Sequence, residues 1–279
     1  RNYFNFFPSL SISHPAGKDN SLSYNYSRRI NRPSYEDLNP FVYFIDQYTF
    51  GKGNPYLTPE FTNTVGLNFS FKNKYVLSLN YNHTTDKITQ ILEQDDALRQ
   101  TYQTTANLST FKNYSATVSA PVEWAKWWST RVNIVGYIND LDSPFNNGTI
   151  NQSQFTAQFM AMNTFNLPAK VRGEMTVFYQ TKMLEGIFEF DPMWGMDIGA
   201  STPIWKGKGN LKLNLSDVFF TRQPHIIVKQ GTVDVIVDPR NESRRLNLTL
   251  SYKFGKNDVK PSRRRSTATE DELERVSRQ

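Results

Sequence analysis

The residues best suited to ligand chemistry are aromatic and lie in segment 31–60. Seven rings fall there: Tyr35, Phe41, Tyr43, Phe44, Tyr48, Phe50 and Tyr56. Acidic residues such as Glu36, Asp37 and Asp46 lie between them. A stacked ring contributes about 0.5–1.5 kcal/mol beyond its buried area, so these rings could bind a sugar, a siderophore or a partner lipoprotein. The alternative is that they pack against neighbouring loops and a membrane interface.

A second set of candidates is charged and lies among otherwise polar positions of alternating segments. Its members are Arg131, Arg172, Glu174 and Lys212. Charged side chains on one polar face could hold an enclosed domain through ion pairs or line a path for a solute. They could equally pair with one another. The sequence leaves both interpretations open.

The sequence offers no set of residues for catalysis or metal binding. The three histidines, His14, His83 and His225, are far apart and none has the spacing of metal ligands. Segment 93–100, "EQDDALRQ", lacks the glycine turn and the bidentate glutamate of a calcium loop. There is no cysteine, no phosphate-binding glycine loop and no nucleophile elbow. We therefore expect no metal, no cofactor and no enzymatic activity.

The elements that position these residues are predicted by an alternation of apolar and polar side chains. In "RRLNLTLSYKFG", residues 244–255, Leu246, Leu248 and Leu250 alternate with polar residues. A period of two predicts strands, and a turn as short as "KNK" predicts antiparallel pairing. About eleven strands are predicted, near 3–13, 20–30, 61–71, 75–83, 106–119, 128–140, 152–165, 170–182, 193–202, 210–220 and 243–254. Phe111 falls on the opposite parity to Tyr114, which suggests a bulge or a boundary error.

The connections between these strands alternate in length. The long ones are predicted at 31–60, 90–103, 141–151, 183–192 and 221–242. Strands of about 10 residues with short turns at one end and long loops at the other are typical of an outer-membrane β-barrel, with the short turns in the periplasm. On this interpretation the periplasmic rim carries Trp124, Trp127, Trp128, Trp205 and Phe254, while Trp194 lies near the outer rim. Such rings favour the headgroup level.

The composition agrees with strands that have one apolar face and one face exposed to water. Only 38% of the residues are hydrophobic and 14% are aromatic, and no apolar run is long enough for a transmembrane helix. A soluble sandwich or propeller would also show a period of two, but it needs a dry core on one strand face. Here the second face holds Asn, Ser, Thr and Gln. The net charge of +6 is concentrated partly in "KPSRRR" near the end, so we expect no nucleic-acid partner.

The strand count predicts a larger assembly. Bacterial single-chain barrels have an even number of strands with both ends in the periplasm, because an open edge in lipid leaves backbone groups unpaired. We therefore expect residues 1–255 to be the C-terminal part of an all-β, antiparallel transmembrane barrel of roughly 22 strands, a size that holds a plugged lumen. Residues 256–279 are expected to form a charged, disordered periplasmic tail.

Three motifs resemble the C-terminal barrel half of TonB-dependent receptors and the related outer membrane protein beta-barrel family. They are "RRINRPSY" at 28–35, "LNPF" at 38–41 and "GNPYLTPE" at 53–60. The resemblance implies ligand uptake across the bacterial outer membrane, an N-terminal plug inside the barrel and energy from a periplasmic coupling protein. It also implies contact with outer-membrane lipid and with the remaining barrel strands. A surface lipoprotein is a further partner, which the aromatic rings of segment 31–60 could bind. The alternative is a barrel that pumps nothing and acts as a scaffold or binding module.

The last predicted strand ends in Tyr252 and Phe254. This aromatic finish resembles the C-terminal signal by which outer-membrane barrels are recognised for assembly. We therefore expect strand 243–254 to be the closing strand of the barrel. The arginine run in the tail after it is a further candidate for docking.

Overall fold

The computed structural model describes residues 5–95, 98–145, 148–230 and 233–254. One short α-helix, α1, spans Tyr35–Leu38, and single 3-10 turns lie at Pro168–Lys170 and Trp205–Gly207. The strands are β1 Ser9–Pro15, β2 Ser21–Asn31, β3 Tyr43–Phe44, β4 Thr49–Gly51, β5 Glu60–Phe71, β6 Tyr75–Asp95, β7 Gln100–Ala125, β8 Trp128–Phe145, β9 Gly148–Asn166, β10 Arg172–Gln180, β11 Met183–Glu185, β12 Phe188–Phe190, β13 Met193–Ile204, β14 Gly209–Ser216, β15 Ile226–Gln230, β16 Val233–Val237 and β17 Arg245–Tyr252. No helix in these ranges is long and apolar enough to cross a membrane.

The main sheet has thirteen strands, and eleven of them follow one path in chain order, β1-β2-β5-β6-β7-β8-β9-β10-β13-β14-β17; β3 and β4 lie off this path. Every neighbouring pair along this path is antiparallel. The predicted strand number and pairing are therefore confirmed. Within the described ranges β1 and β17 each have a neighbour on one side only, so the sheet is open and matches a half-barrel.

The two faces of the sheet differ as the alternation predicts. On the apolar face, Leu248 is 71% exposed and Leu79 is 42% exposed, and Phe69 is only partly covered. A soluble sandwich would have buried these side chains in a dry core. The chain instead presents them outward, as a strand surface in contact with lipid does.

The opposite, inner face is joined by hydrogen bonds between polar side chains on neighbouring strands. Thr64 donates to Asn82 Oδ1 at 2.7 Å, Asn82 donates to Asn113 Oδ1 at 3.1 Å, and Asn113 donates to Asn139 Oδ1 at 2.7 Å. These four residues are direct partners in the register of β5, β6, β7 and β8. We call this row the amide ladder.

Aromatic side chains mark both ends of the membrane-facing strands. At the short-turn end, the rings of Trp124 and Trp128 lie 5.4 Å apart, and Trp205 lies 5.4 Å from Tyr252. Trp194 lies at the other end, in the first residues of β13. Indole rings with a polar N–H favour the membrane–water interface, so the two ends define the headgroup levels.

The pairing of β7 with β8 shows no bulge at Phe111. The pairing of β7 with β8 runs without a shift from Thr110 to Glu123, and its irregularity lies between Glu123 and Ala125. Phe111 has the parity of the inner face, where its ring is partly buried against an apolar cluster. It departs from the alternation because an apolar cluster from other segments packs against its ring.

That protein is a second sheet of four short strands, β11-β12-β15-β16, which we call the loop sheet. The sequence predicted only long connections at 183–192 and 221–242. Ile187 and Val228 of these segments are 2% and 1% exposed, and they form one buried cluster with Leu108 and Leu141. The long strands β6 to β8 therefore continue beyond the membrane, where they share an apolar core with the loop sheet.

Candidate ligand-binding site

A cavity with a volume of about 860 Å³ lies between the inner face of β6 to β8 and the loop sheet. The barrel wall contributes Asn113, Ser115 and Tyr137, and the loop sheet contributes Phe188 and Phe190. Aromatic and apolar side chains with a few converging polar groups are the usual lining of a small-molecule site. The cavity is also large enough for a ligand of that class.

The loop sheet is fixed over this cavity by three contacts with the barrel wall. Asn139 donates to the Leu184 carbonyl at 3.3 Å, and Thr156 donates to the Lys182 carbonyl at 3.0 Å. Gly186 has a φ of 60° and lies so close to β6 that an added Cβ would come within 2.9 Å of the Thr89 methyl group. Only glycine combines that backbone conformation with so close an approach.

The charges that line the cavity are nearly balanced within the protein. Lys87 Nζ lies 3.3 Å from a carboxylate oxygen of the buried Glu60. Glu60 also accepts hydrogen bonds from Asn31 Nδ2 at 3.1 Å and from the Ile88 backbone N–H at 2.8 Å. Glu185 is exposed and forms no ion pair with any described residue. The cavity therefore offers no uncompensated positive charge to a ligand.

Asp217 follows β14, is fully buried, and fixes the two ends of the segment that carries β15 and β16. Its carboxylate accepts from Ser243 Oγ at 2.6 Å and from the backbone N–H groups of Thr221 at 3.0 Å and Arg222 at 3.1 Å. Burial raises the pKa of Asp217, but these hydrogen bonds outweigh it and the net pKa is lowered. The ionised carboxylate thus joins both ends of segment 217–243.

His225 joins the strands of the loop sheet at its outer edge. Its Nδ1 lies 2.5 Å from Asp238 Oδ1, and its Nε2 lies 3.8 Å from Asp191 Oδ2. The hydrogen bond with Asp238 raises the pKa of His225, and the charges of Asp238 and Asp191 act in the same direction. No group of three or more described His, Cys, Asp or Glu residues has the geometry to hold a metal ion.

The aromatic residues predicted from segment 31–60 do not line this cavity. Six of them are exposed, with fractions between 53% and 88%: Tyr35, Phe41, Tyr43, Phe44, Tyr48 and Tyr56. Phe50 is half-buried, with its ring 6.0 Å from Phe44 and 5.8 Å from Tyr102. Segment 31–60 docks on the upper part of β7, where β4 pairs with it in parallel. Six of the seven rings are therefore exposed at the protein surface, and none of the seven lines the cavity.

The four charged candidates all lie on the inner face. Glu174 is shared, since Lys212 Nζ lies 2.9 Å and Arg172 Nε 3.5 Å from its two carboxylate oxygens. Arg131 lies opposite Met162, is exposed and forms no ion pair with a described residue. The structure thus brings three of the four together and leaves Arg131 apart.

The other sequence candidates lie away from the cavity. The rings of Tyr252 and Phe254 lie 4.5 Å apart at the short-turn end of the sheet. His14 is near Tyr24 on the outer surface, with ring centres 6.0 Å apart, and His83 lies in β6. The charged tail 256–279 falls outside the described residues, as do residues 96 and 97 of segment 93–100.

The loop sheet was not predicted from the sequence because its strands, of three to five residues, are too short to span a membrane. The signal was present in "HIIVKQGTVDVIV", residues 225–237, where two runs of β-branched residues flank a glycine. That pattern is typical of a hairpin. The structure shows it as β15 and β16.

The comparisons with known proteins agree with this architecture. The sequence matches the outer membrane protein beta-barrel family over residues 1–252. The fold is similar to the siderophore receptor PirA from Pseudomonas aeruginosa, with a TM-score of 0.55, 14% identity and coverage of 78% of this chain and 39% of that chain. It is also similar to a mutant of the ferric enterobactin receptor PfeA from Pseudomonas aeruginosa in complex with enterobactin, with a TM-score of 0.55, 16% identity and coverage of 88% and 40%.

At such identities the likeness concerns the fold, and the chain spans about two fifths of the length of these structures. No curated protein matches the sequence. The family match covers nearly the whole chain and agrees with the open sheet, its path of eleven strands and its outward apolar face. The chain therefore belongs to the outer membrane protein beta-barrel family and is a component of the bacterial outer membrane.

Proposed function

We propose that the chain is the C-terminal part of a receptor that takes up a ligand through the outer membrane, as the similarity to siderophore receptors suggests. The observation that carries the proposal is the cavity of about 860 Å³ on the inner face. Its roof is built from the long loops, which are the extracellular end of such barrels. A site there receives a ligand from outside before the ligand enters the lumen.

The chemistry of the lining favours a neutral, polar ligand with a flat or apolar face. Amide side chains of Gln90, Asn113 and Asn139 supply donors and acceptors, and the rings of Phe188 and Phe190 supply stacking surfaces. An anionic iron chelate would meet the carboxylate of Glu185 and no free cation, because Lys87 is held by Glu60. A neutral oligosaccharide or short peptide fits this lining better than an anion does.

The partners of the proposed receptor are those that the family resemblance implies. A plug domain and further barrel strands would complete the lumen, and the coupling protein in the periplasm would act through the plug. Arg131 is an exposed inner-face cation without an ion pair among the described residues, so we assign it to plug docking. The exposed rings of segment 31–60 are assigned to a surface lipoprotein or to first contact with the ligand.

The test is a retention experiment with the intact protein purified from outer membranes. The protein is incubated with three pools, of neutral oligosaccharides, short peptides and ferric siderophores, and retained molecules are identified by mass spectrometry. Ser115→Trp fills the cavity from the inner face, whereas Ala116→Trp places the same ring on the outer face of β7. We expect the parent and Ala116→Trp to retain members of a neutral pool, and Ser115→Trp to lose at least about tenfold of that retention, the equivalent of 1.4 kcal/mol.

A parent that retains nothing, or a Ser115→Trp variant that retains as much as the parent, would favour a barrel that acts as a scaffold. Retention of the ferric pool alone would keep the receptor function and refute the assignment of a neutral ligand. Folding of each variant is checked by its heat-modified mobility in gels. The two Trp variants differ by one position in sequence and by the face on which the ring lies.

A further inference from the structure

Every short turn of the sheet carries at least one exposed lysine. The eight residues are Lys18, Lys72, Lys74, Lys126, Lys170, Lys206, Lys208 and Lys253, the last directly after β17. All eight side chains are exposed, and none forms an ion pair with a described residue. Two acids, Asp19 and Glu123, lie in or beside the same turns. The short-turn rim is therefore strongly positive.

The geometry of the turns does not account for these lysines. Lys72, Lys170 and Lys206 have φ values of 52°, 61° and 55°, in the left-handed region. Glycine and asparagine adopt that conformation at a lower cost than lysine does. A residue that is unfavourable for the backbone and recurs at three turns is best explained by what its side chain contacts outside the chain.

The arrangement also differs from that of the charges at the other end of the sheet. There several cations have carboxylate partners: Lys52 lies 2.8 Å from Glu93, and Arg222 lies 2.7 Å from Asp197. Successive short turns are two strands apart, which separates them by about 10 Å along the rim. The lysines thus form a row of separate points, which no single small anion could span.

The neighbours of the lysines place them at the surface of the bilayer. Trp124, Trp127 and Trp205 are exposed in the same turns, and indole rings lie at the headgroup level. Lysine lays its hydrocarbon stem along apolar surface and extends its ammonium group to the headgroups; Lys72 already lies with Nζ 5.2 Å from the centre of the Phe71 ring. A phosphate within reach of each ammonium group would complete the site.

We propose that the short-turn rim binds the headgroups of anionic phospholipids in the periplasmic leaflet of the outer membrane. Each turn contributes one or two lysines to a separate headgroup, and the adjacent aromatic rings contact the acyl chains near the glycerol. This row fixes the height of the barrel in the bilayer. The proposal is independent of the ligand that the cavity binds.

The test uses the intact protein reconstituted in bilayers of phosphatidylcholine that contain spin-labelled phosphatidylglycerol or spin-labelled phosphatidylcholine. The selectivity for the anionic lipid is measured for the parent and for the triple variant Lys74→Gln, Lys126→Gln, Lys208→Gln. None of these three lysines has a positive φ, so the substitutions leave the turn geometry unchanged. The matched control replaces the same three residues with arginine, which keeps the charge.

We expect the parent and the arginine variant to prefer phosphatidylglycerol. The glutamine variant should lose at least about tenfold of that selectivity, because a cation near an anionic surface contributes about a factor of five per residue. Added salt should reduce the selectivity of the parent. A parent without preference for the anionic lipid would overturn the proposal, and so would a glutamine variant that keeps the full preference. In the first case an acidic protein becomes the better partner for the rim.

Discussion

Asn113 donates a hydrogen bond to Asn139 across β7 and β8 at 2.7 Å, and Asn139 in turn donates to the Leu184 carbonyl of the loop sheet at 3.3 Å. The wall of the barrel and the roof of the cavity are therefore joined by neutral amides. Such a ladder holds the cavity open without placing a fixed charge in it. Each amide stabilises the fold only while its neighbours in the ladder are present, because an unpaired amide in a partly buried site costs free energy.

The first prediction concerns the amide ladder. Asn113→Ala should lower the free energy of unfolding by about 1–3 kcal/mol, because Asn82 and Asn139 each lose a partner while partly buried. The measurement is urea unfolding of the reconstituted protein. Asn210→Ala is the matched control, because Asn210 is exposed at the short-turn end of β14. Equal stability of the two variants would contradict a role for the ladder.

The second prediction concerns the core of the loop sheet. Ile187→Ala should destabilise that sheet by about 2–5 kcal/mol, since Ile187 is 2% exposed and its truncation leaves a cavity. Hydrogen exchange of residues 226–228 should accelerate, while exchange in the membrane-spanning part of β7 should stay unchanged. Ile236→Ala removes the same atoms from a side chain that is 60% exposed and should have little effect. Acceleration in both regions would show that the loop sheet has no separate stability.

The sequence predicted the parts of the fold that depend on local residue patterns and missed the part that depends on contacts between distant segments. The strands in lipid are specified by their own alternation, so Leu246, Leu248 and Leu250 could be assigned to one strand face from the residue pattern alone. The loop sheet depends on contacts between segments far apart in the chain, such as Ile187 with Leu108. Phe111 breaks the alternation because of that sheet, and the residue pattern could only mark it as an anomaly.

The candidate site shows the same division. The residue types alone pointed to the rings of segment 31–60, most of which are exposed and none of which lines the cavity. The cavity is lined instead by ordinary amides and by Phe188 and Phe190, whose proximity arises only from the folding of two long loops over β6 to β8. Neither their types nor their spacing distinguish these residues from others in a sequence rich in Asn, Gln and Phe.

The third prediction concerns the carboxylate of Asp217. Asp217→Asn keeps the shape and tolerates the positive φ of 48°, but it removes the charge that accepts from Ser243, Thr221 and Arg222. Hydrogen bonds to a charged group contribute about 1.5–3 kcal/mol, and the loss should be of that size at neutral pH. The pKa of Asp217 is lowered in the folded protein, so its stabilisation is complete above 3.8 and disappears as pH falls through the folded-state pKa.

The check is thermal unfolding of the extracellular region, with cleavage of segment 217–243 by a protease as the readout. It is carried out between about pH 7 and about pH 3, a range that spans the titration of an aspartate. Parent and variant should differ most at the neutral end and should converge at the acidic end. A constant difference across this range would mean that the variant acts through shape rather than charge. Glu242→Gln is the control, because that exposed side chain lies in the same segment and, among the described residues, only its backbone carbonyl accepts a hydrogen bond, from Arg245.

The last prediction concerns His225, whose pKa is raised by its hydrogen bond with Asp238 and by the nearby Asp191. A raised pKa means that the protonated form stabilises the fold: the stabilisation is complete below 6.5 and is lost as pH rises through the folded-state pKa. His225→Gln should therefore open β15 and β16 most clearly near about pH 5.5 and least near about pH 9. Hydrogen exchange of residues 226–228 and 234–237, corrected for the intrinsic rate at each pH, measures the difference. If the variant and the parent differed equally at both pH values, the charge of His225 would have no part in holding the loop sheet over the cavity.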